Sequence, residues 1–278
     1  MPQLTATDFT PWTAADAARH IAVPVPGDDK YSRGVLGVIT GSDQYPGAAV
    51  LSVEAALRTG VGMVRYLGGE RASTLVLQRR PEAVTSEGRV QAWLIGSGMD
   101  HESREEAAAA RSTLAMAQAL PTVLDGGALD LHEAGRGPVV ITPHFGELAR
   151  LLGVDKAEVA ADPAAWAARA ADRLDVTVLL KGSRTYVAGG GVALVAASAP
   201  SWLATAGAGD ALGGILGALV ATHSEAIADD RAMLARLAAS ASVIHGLAAH
   251  RASVGGPLTI LDLAAAVPGV ISGLLSRG

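Results

Sequence analysis

Thr205-Ala206-Gly207-Ala208-Gly209-Asp210 places two glycines and a carboxylate directly ahead of the small apolar run from Ala211 to Ala221. Glycine tolerates positive φ and lets backbone N–H groups come close to a ligand. A helix starting here adds unsatisfied donors and the positive end of its dipole. The pattern describes an anion hole with a candidate base, Asp210, at its mouth, which is what phosphoryl transfer to a hydroxyl needs. An ordinary glycine turn with Asp210 as a helix cap would use the same residues. Gly213 and Gly214 weigh against that alternative, because helix-interior glycines each cost about 1 kcal/mol and mark close packing or close approach of a ligand.

Three further segments carry polar groups directly after apolar runs. Thr142-Pro143-His144-Phe145-Gly146-Glu147 follows Val139 to Ile141; it reads as a site segment or as a proline-stiffened turn whose histidine bonds locally. Gly41-Ser42-Asp43-Gln44-Tyr45-Pro46-Gly47-Ala48-Ala49 follows Val35 to Thr40. Such a loop lets a flat ligand lie against backbone, whereas a plain turn explains one glycine and not the whole order. Lys181-Gly182-Ser183-Arg184-Thr185 follows Val176 to Leu180. Lys181 offers a point cation for phosphate charge, although a lone lysine at a strand end is commonly just solvated.

The elements that must position these segments follow one grammar: strand, glycine turn, helix. Strands are expected at Val35 to Thr40, Met63 to Leu67, Ala92 to Ile95, Val123-Leu124, Val139 to Ile141 and Val176 to Leu180. Their apolar runs lack polar alternation, as suits strands buried on both faces. Thr185 to Ala188 and Val192 to Val195 read as a hairpin with Gly189-Gly190-Gly191 at its tip. Helices are expected over 13–20, 48–59 (closed by Gly60), 104–120, 146–152, 164–174, 209–222 and 228–251, with a short last segment from Leu261. Strands alternating with helices imply a mostly parallel sheet covered on both faces, with ligands beyond the carboxyl ends of its strands. One domain over residues 1–278, with 1–32 as a lead-in, is the expected organisation.

Composition narrows the class. The 278 residues are 50% hydrophobic and 18% charged, with net charge −5 and no cysteine. Disorder is excluded as the general state. Disulfides, thiol catalysis and thiolate metal sites are excluded too, and a reducing, cytoplasmic setting is expected. No Lys/Arg block suggests nucleic acid. Asp8, Asp16, Asp28 and Asp29 with Pro2, Pro11, Pro24 and Pro26 are unlike a secretory signal. The run from Ala211 to Ala221 is too short to span a bilayer. No P-loop, no dinucleotide fingerprint after the first strand and no nucleophile elbow is present.

Gly-Ala-Gly-Asp at the start of a late, small-residue helix resembles the Gly-x-Gly-Asp signature of the ribokinase-like superfamily. Related vitamin kinases carry Thr-Pro-Asn-x-x-Glu at the position of Thr142 to Glu147; His144 instead matches the Thr-Pro-His-x-Gly-Glu pattern of the ADP-dependent (S)-NAD(P)H-hydrate dehydratases. The Gly41 loop is similar to that family's Gly-Ser-x-x-x-Pro-Gly-Ala-Ala-x-Leu, and Leu180 to Thr185 to its Leu-Lys-Gly-x-x-Thr. Gly96-Ser97-Gly98 and Leu124-Asp125-Gly126-Gly127-Ala128-Leu129 fill two more family positions with departures. The family often has Gly-Pro-Gly at the first and Asp-x-Asp-x-Leu at the second, so Gly127 stands where an acid is often found. The segments run in family order from Arg33 to Leu219.

The resemblance implies a ribokinase-like α/β three-layer sandwich, mostly parallel, with helices on both faces. It implies a lyase of nicotinamide cofactor repair: ADP phosphorylates the hydroxyl of hydrated NADH or NADPH, and phosphate then leaves to restore the ring, giving AMP and phosphate. Asp210 would be the base. Ala48, Gly98, His144 and Asp210 would contact the hydrated dinucleotide. Lys181, Gly182, Ser183, Arg184, Thr185 and Gly209 would line the adenine nucleotide, ADP or ATP. Mg2+ would bridge phosphates with Glu147 as its protein-side partner. A homo-oligomer, a tetramer among the options, and a separate epimerase chain are expected, with no nucleic-acid or membrane partner. A vitamin-alcohol kinase of the same superfamily and a non-catalytic adenine-nucleotide sensor are the rival readings.

Overall fold

The computed structural model describes residues 9–102, 104–196 and 199–276. Among them, nine strands form one sheet: β1 (Thr10–Trp12), β2 (Val35–Ile39), β3 (Met63–Tyr66), β4 (Ala92–Ile95), β5 (Thr122–Leu124), β6 (Val139–Ile141), β7 (Thr177–Leu180), β8 (Thr185–Gly189) and β9 (Val192–Ala196). The order is β1-β9-β8-β7-β6-β5-β4-β2-β3. Pairing is parallel throughout except at β7–β8 and β8–β9, where the expected hairpin turns back.

Adjacent strand residues enter opposite cores, which is the packing signature of a sheet covered on both faces. Leu36, Val38, Leu94, Val123, Val140 and Leu179 join helices α2 (Pro46–Thr59), α8 (Ala208–Thr222), α10 (Met233–Ser253) and α11 (Ile260–Leu275). Val35, Ile39, Ile95, Leu124, Ile141 and Leu180 join the opposite layer, built from α4 (Glu106–Met116), α5 (Phe145–Leu152), α6 (Lys156–Ala161) and α7 (Pro163–Leu174). The expected three-layer sandwich, helices on both faces of a mostly parallel sheet, is thereby established.

The interior glycines of α8 have a packing cause. A Cβ on Gly214 would lie 2.2 Å from the Ser52 carbonyl of α2, and one on Gly217 would press on Leu36 of β2. The α8–α2 approach is therefore backbone on side-chain-free backbone. Gly37 in β2 likewise leaves room for the Trp93 ring, 2.3 Å from where its Cβ would stand.

Some elements differ from the sequence reading. Thr10–Trp12, inside the presumed lead-in, adds an edge strand beside β9, followed by α1 (Ala14–Ala18). Helix α3 (Glu70–Arg79) was not expected, because its apolar stripe is broken by Arg71, Ser73 and Thr74. The expected helix over 228–251 is two helices: α9 (Ser224–Asp229) ends at Asp230, whose carboxylate takes the Ala232 N–H, and α10 starts afresh. The last segment is longer than expected, sixteen residues with Pro268 inside it.

Candidate functional site

The parallel strands β2, β4, β5, β6 and β7 deliver their carboxyl ends to one edge of the sheet, and the chemistry collects there. Asp125 follows β5 at the centre of that edge and is 4% exposed. It accepts from Ser97 Oγ at 2.8 Å, from Thr142 Oγ1 at 2.6 Å and from Lys181 Nζ at 2.8 Å. One donor comes from the end of each of β4, β6 and β7. Burial pushes the Asp125 carboxyl up, but the Lys181 charge and these hydrogen bonds more than offset it, leaving it below the ordinary carboxylate value. Burial pulls the Lys181 ammonium down; Asp125, Glu147 and Asp210 outweigh that and hold it above its ordinary value.

Asp210 stands across from this pair in the first turn of α8. The helix begins at Ala208 behind Gly207, which has φ 89° and must be free of a side chain, since a Cβ would lie 2.5 Å from Leu51. No side chain caps the helix, so the amides of Gly209 and Asp210 project unpaired within the first turn. Gly209 lies beside Lys181: a Cβ there would be 3.4 Å from Nζ. Burial, then the Asp125 charge, raise the Asp210 carboxyl to about 6 against the opposing pull of Lys181. Burial and a neighbouring carboxylate thus outweigh the helix dipole, which alone would favour the ionised form.

The structure places the other expected site residues as follows. Ala48, in the first turn of α2, and Gly98 pack on each other: Gly98 has φ 69°, and a Cβ on it would be 2.4 Å from that of Ala48. The Gly41 N–H donates to Ser97 carbonyl at 2.7 Å, closing the two loops into one floor. His144 caps α5, its Nδ1 accepting from the Glu147 N–H at 3.1 Å while Glu147 Oε2 accepts from the His144 N–H at 2.7 Å. With Nδ1 an acceptor, the neutral ring carries its proton on Nε2, and the side chain is 60% exposed. The Lys181 N–H donates to the Pro143 carbonyl at 2.8 Å, which sets the His144 turn alongside the Lys181 loop. Gly182, Ser183 and Arg184 are exposed, and Thr185 opens β8 half-buried.

Ser97, Asp125 and Thr142 were not singled out as site residues from the sequence. The available signal was a carboxylate directly after the central strand Thr122–Leu124, where a buried charge has to find a partner. Gly127, at the family's often acidic position, packs with its would-be Cβ 2.3 Å from the Met99 carbonyl, so no side chain fits there. Two hollows of about 650 and 380 Å³ lie beyond the Asp43 loop toward β3, away from Asp210.

Among the described residues no three acidic or histidine side chains gather as a metal site. Mg2+ keeps several waters and binds through substrate phosphates plus one or two carboxylates, so this donor set fits an ion carried in by a nucleotide. Glu147 has one oxygen to spare for it: Oε1 is 3.7 Å from His144 Nε2, beyond hydrogen-bond range. Among the described residues, no helix is long and apolar enough to cross a membrane.

Comparison with known proteins bears on the family and the fold. The family model described as NAD(P)H-hydrate dehydratase matches residues 36–261. The bifunctional NAD(P)H-hydrate repair enzyme Nnr of Mycobacterium tuberculosis is 42% identical over 229 residues, 78% of this chain and 47% of that protein. The ADP-dependent (S)-NAD(P)H-hydrate dehydratase of Xanthomonas campestris is 35% identical over 237 residues, covering 77% of this chain and 81% of that one. The chain thus spans about half the length of the bifunctional relatives. A crystal structure of the ADP/ATP-dependent NAD(P)H-hydrate dehydratase of Bacillus subtilis, co-crystallised with ATP/Mg2+, shares the fold with a TM-score of 0.84 at 24% identity, covering 97% of this chain and 100% of that one.

Proposed function

The chain belongs to the NAD(P)H-hydrate dehydratase family, and we propose that it dehydrates (S)-NADHX and (S)-NADPHX to NADH and NADPH with ADP as phosphoryl donor. The observation that carries this reading is the meeting of Asp210 and the unpaired Gly209 and Asp210 amides with the Asp125–Lys181 pair at one sheet edge.

The hydrate's hydroxyl is a poor leaving group and phosphate a good one. Asp210 accepts the hydroxyl proton as that oxygen attacks the β-phosphorus of ADP, and AMP departs. The carbon–oxygen bond of the phosphate ester then breaks, phosphate leaves with the bonding pair as the ring nitrogen supplies electrons, and the adjacent ring carbon gives up a proton to solvent, which restores the ring double bond. The α8 amides take the charge that gathers on the phosphoryl oxygens. Ala48 and Gly98 form the flat floor for the ring, and His144, exposed beside the Lys181 loop, contacts the hydrated dinucleotide. Lys181 to Thr185, with Gly209, hold the adenine nucleotide. Glu147 would hold a Mg2+ brought in with the nucleotide, and the ion would supply positive charge against the phosphates.

The test is a coupled assay with hydrated NADH, ADP and magnesium. Recovery of the dihydronicotinamide absorbance with stoichiometric AMP is expected. Phosphorylation of a thiazole, pyrimidine or pyridoxal alcohol without recovery of NADH would make the chain a vitamin kinase. Nucleotide binding with no turnover of either would make it a sensor.

A further inference from the structure

Tyr66 is the last residue of β3, the strand at one end of the sheet, and it is fully buried. A phenol without exposure has to place its hydroxyl on a partner. The partner is the Thr40 carbonyl just beyond β2, which accepts from Tyr66 Oη at 2.6 Å. Burial raises the phenol above its ordinary value, so the ring keeps its proton and acts as the donor. Gly68 leaves room for this bond: a Cβ there would run into the Tyr66 hydroxyl.

The Thr40 carbonyl and the Gly41 N–H belong to one peptide unit, and both of its ends are taken. The N–H donates to the Ser97 carbonyl at 2.7 Å. Ser97 is itself tied down, since its Oγ donates to Asp125 at 2.8 Å. Tyr66 therefore grips one side of the peptide whose other side joins the Gly41 loop to the Gly96–Gly98 loop. The Thr40 side chain gives no help, because its Oγ1 is buried with no hydrogen-bond partner. Gly41 has φ 76°, and its Cα lies 3.3 Å from where a Cβ on Gly98 would stand. A rotation of the Thr40–Gly41 peptide would thus be felt directly at Gly98.

A donor on a carbonyl polarises the amide, strengthens its N–H as a donor and fixes the plane of the peptide. We propose that Tyr66 is a positioning residue that locks the Thr40–Gly41 peptide and thereby sets the floor on which the hydrated nicotinamide ring lies. This rests on the reading of Ala48 and Gly98 as that floor. Tyr66 acts at a distance, through the peptide it holds, because its own side chain is fully buried. The segments read as holding the adenine nucleotide, Lys181 to Thr185 and Gly209, follow β7 and open α8. Loosening the Thr40–Gly41 peptide should therefore affect the hydrated dinucleotide and spare ADP.

The test compares wild type, Tyr66→Phe and Gly68→Ala in the full chain. Trp12→Phe serves as control, since Trp12 Nε1 donates to Ser240 Oγ at 3.0 Å from the other end of the sheet. Tyr66→Phe keeps the ring and deletes the hydroxyl. It is expected to raise KM for hydrated NADH about 3–10-fold, the scale of one net hydrogen bond, with kcat within about threefold and the Kd for ADP unchanged. The Kd for NADH, the product, should rise in parallel by calorimetry, and the Gly41 amide proton should move upfield and exchange faster. Gly68→Ala, whose methyl displaces the hydroxyl, should act the same way. Trp12→Phe should lose stability alone. A wild-type KM in Tyr66→Phe would overturn the proposal, whatever stability that variant loses. If wild type binds NADH, and Tyr66→Phe weakens that binding, yet hydrated NADH is never turned over, the proposed function falls and the positioning role stands. Should Tyr66→Phe fail to fold, Gly68→Ala decides by the same KM and amide readings.

Discussion

Lys181 Nζ donates to Asp125 Oδ1 at 2.8 Å, and both groups belong to the carboxyl edge of the sheet, one after β7 and one after β5. Lys181 is therefore already paired with a buried carboxylate before any ligand arrives.

Removing either partner should be costly. Lys181→Met leaves Asp125 buried with two hydroxyl donors and no countercharge, and breaking a buried pair in this way costs about 3–5 kcal/mol. Adding Asp125→Asn should recover much of the loss. Denaturant unfolding of both single variants and the double variant measures the coupling; simple additivity of the two losses would mean the pair is not a unit. ADP titration of the double variant then isolates the nucleotide share of the Lys181 charge, expected at about 1–3 kcal/mol.

Asp210 should set the acid limb of activity. With its carboxyl raised to about 6, kcat/KM is expected to fall as pH drops through that value. Asp125→Asn should shift the limb to lower pH, because the Asp125 charge pushes Asp210 up. Asp210→Asn should fold, bind both ligands and lose about 10²–10⁴ in turnover. The stability sign is opposite to the catalytic one. A carboxyl raised in the folded state stabilises the fold below its unfolded pKa, and that contribution is lost as pH rises through about 6. Asp210→Asn is thus expected to be more stable than wild type at pH 8 and not at pH 4, which thermal unfolding at the two pH values checks.

Glu54 is fully buried in α2 between Arg58, Arg79 and Arg80. Burial alone would raise its carboxyl; the three arginines bring it down to about 2. Its stabilisation is therefore present above the unfolded value of 4.5 and lost as pH falls toward 2. Glu54→Gln should cost about 3–5 kcal/mol near neutral pH, and the gap to wild type should narrow on acidification. A pH-independent gap would point to packing and not to charge.

His144 has a cap to maintain as well as a candidate ligand to meet. His144→Ala should cost about 0.5–2 kcal/mol of stability through loss of the α5 cap. His144→Asn keeps an N-cap acceptor and should unfold close to wild type, yet raise KM for hydrated NADH. If the asparagine variant keeps both stability and KM, His144 acts on the helix alone.

Local pattern was enough to read the strand ends, the hairpin at Gly189 to Gly191, the Gly207-Ala208-Gly209-Asp210 turn and the alternation of strands with helices, because each depends on residues close in sequence. Apolar runs make buried strands, and glycines before a helix make a turn with free amides, whatever lies elsewhere in the chain. The short edge strand Thr10–Trp12 escaped notice because it exists only by pairing with Val195 and its neighbours. The same holds for charge. Which carboxylate would be drawn up and which held down was set by three strands and one helix converging from across the chain. Asp125 and Asp210 are both single acids after short apolar or glycine-rich stretches; they part ways because the first receives Ser97, Thr142 and Lys181 directly, while the second is half-buried and feels the charge of the first. Desolvation and Coulomb forces act through space, so only the folded chain could assign those roles.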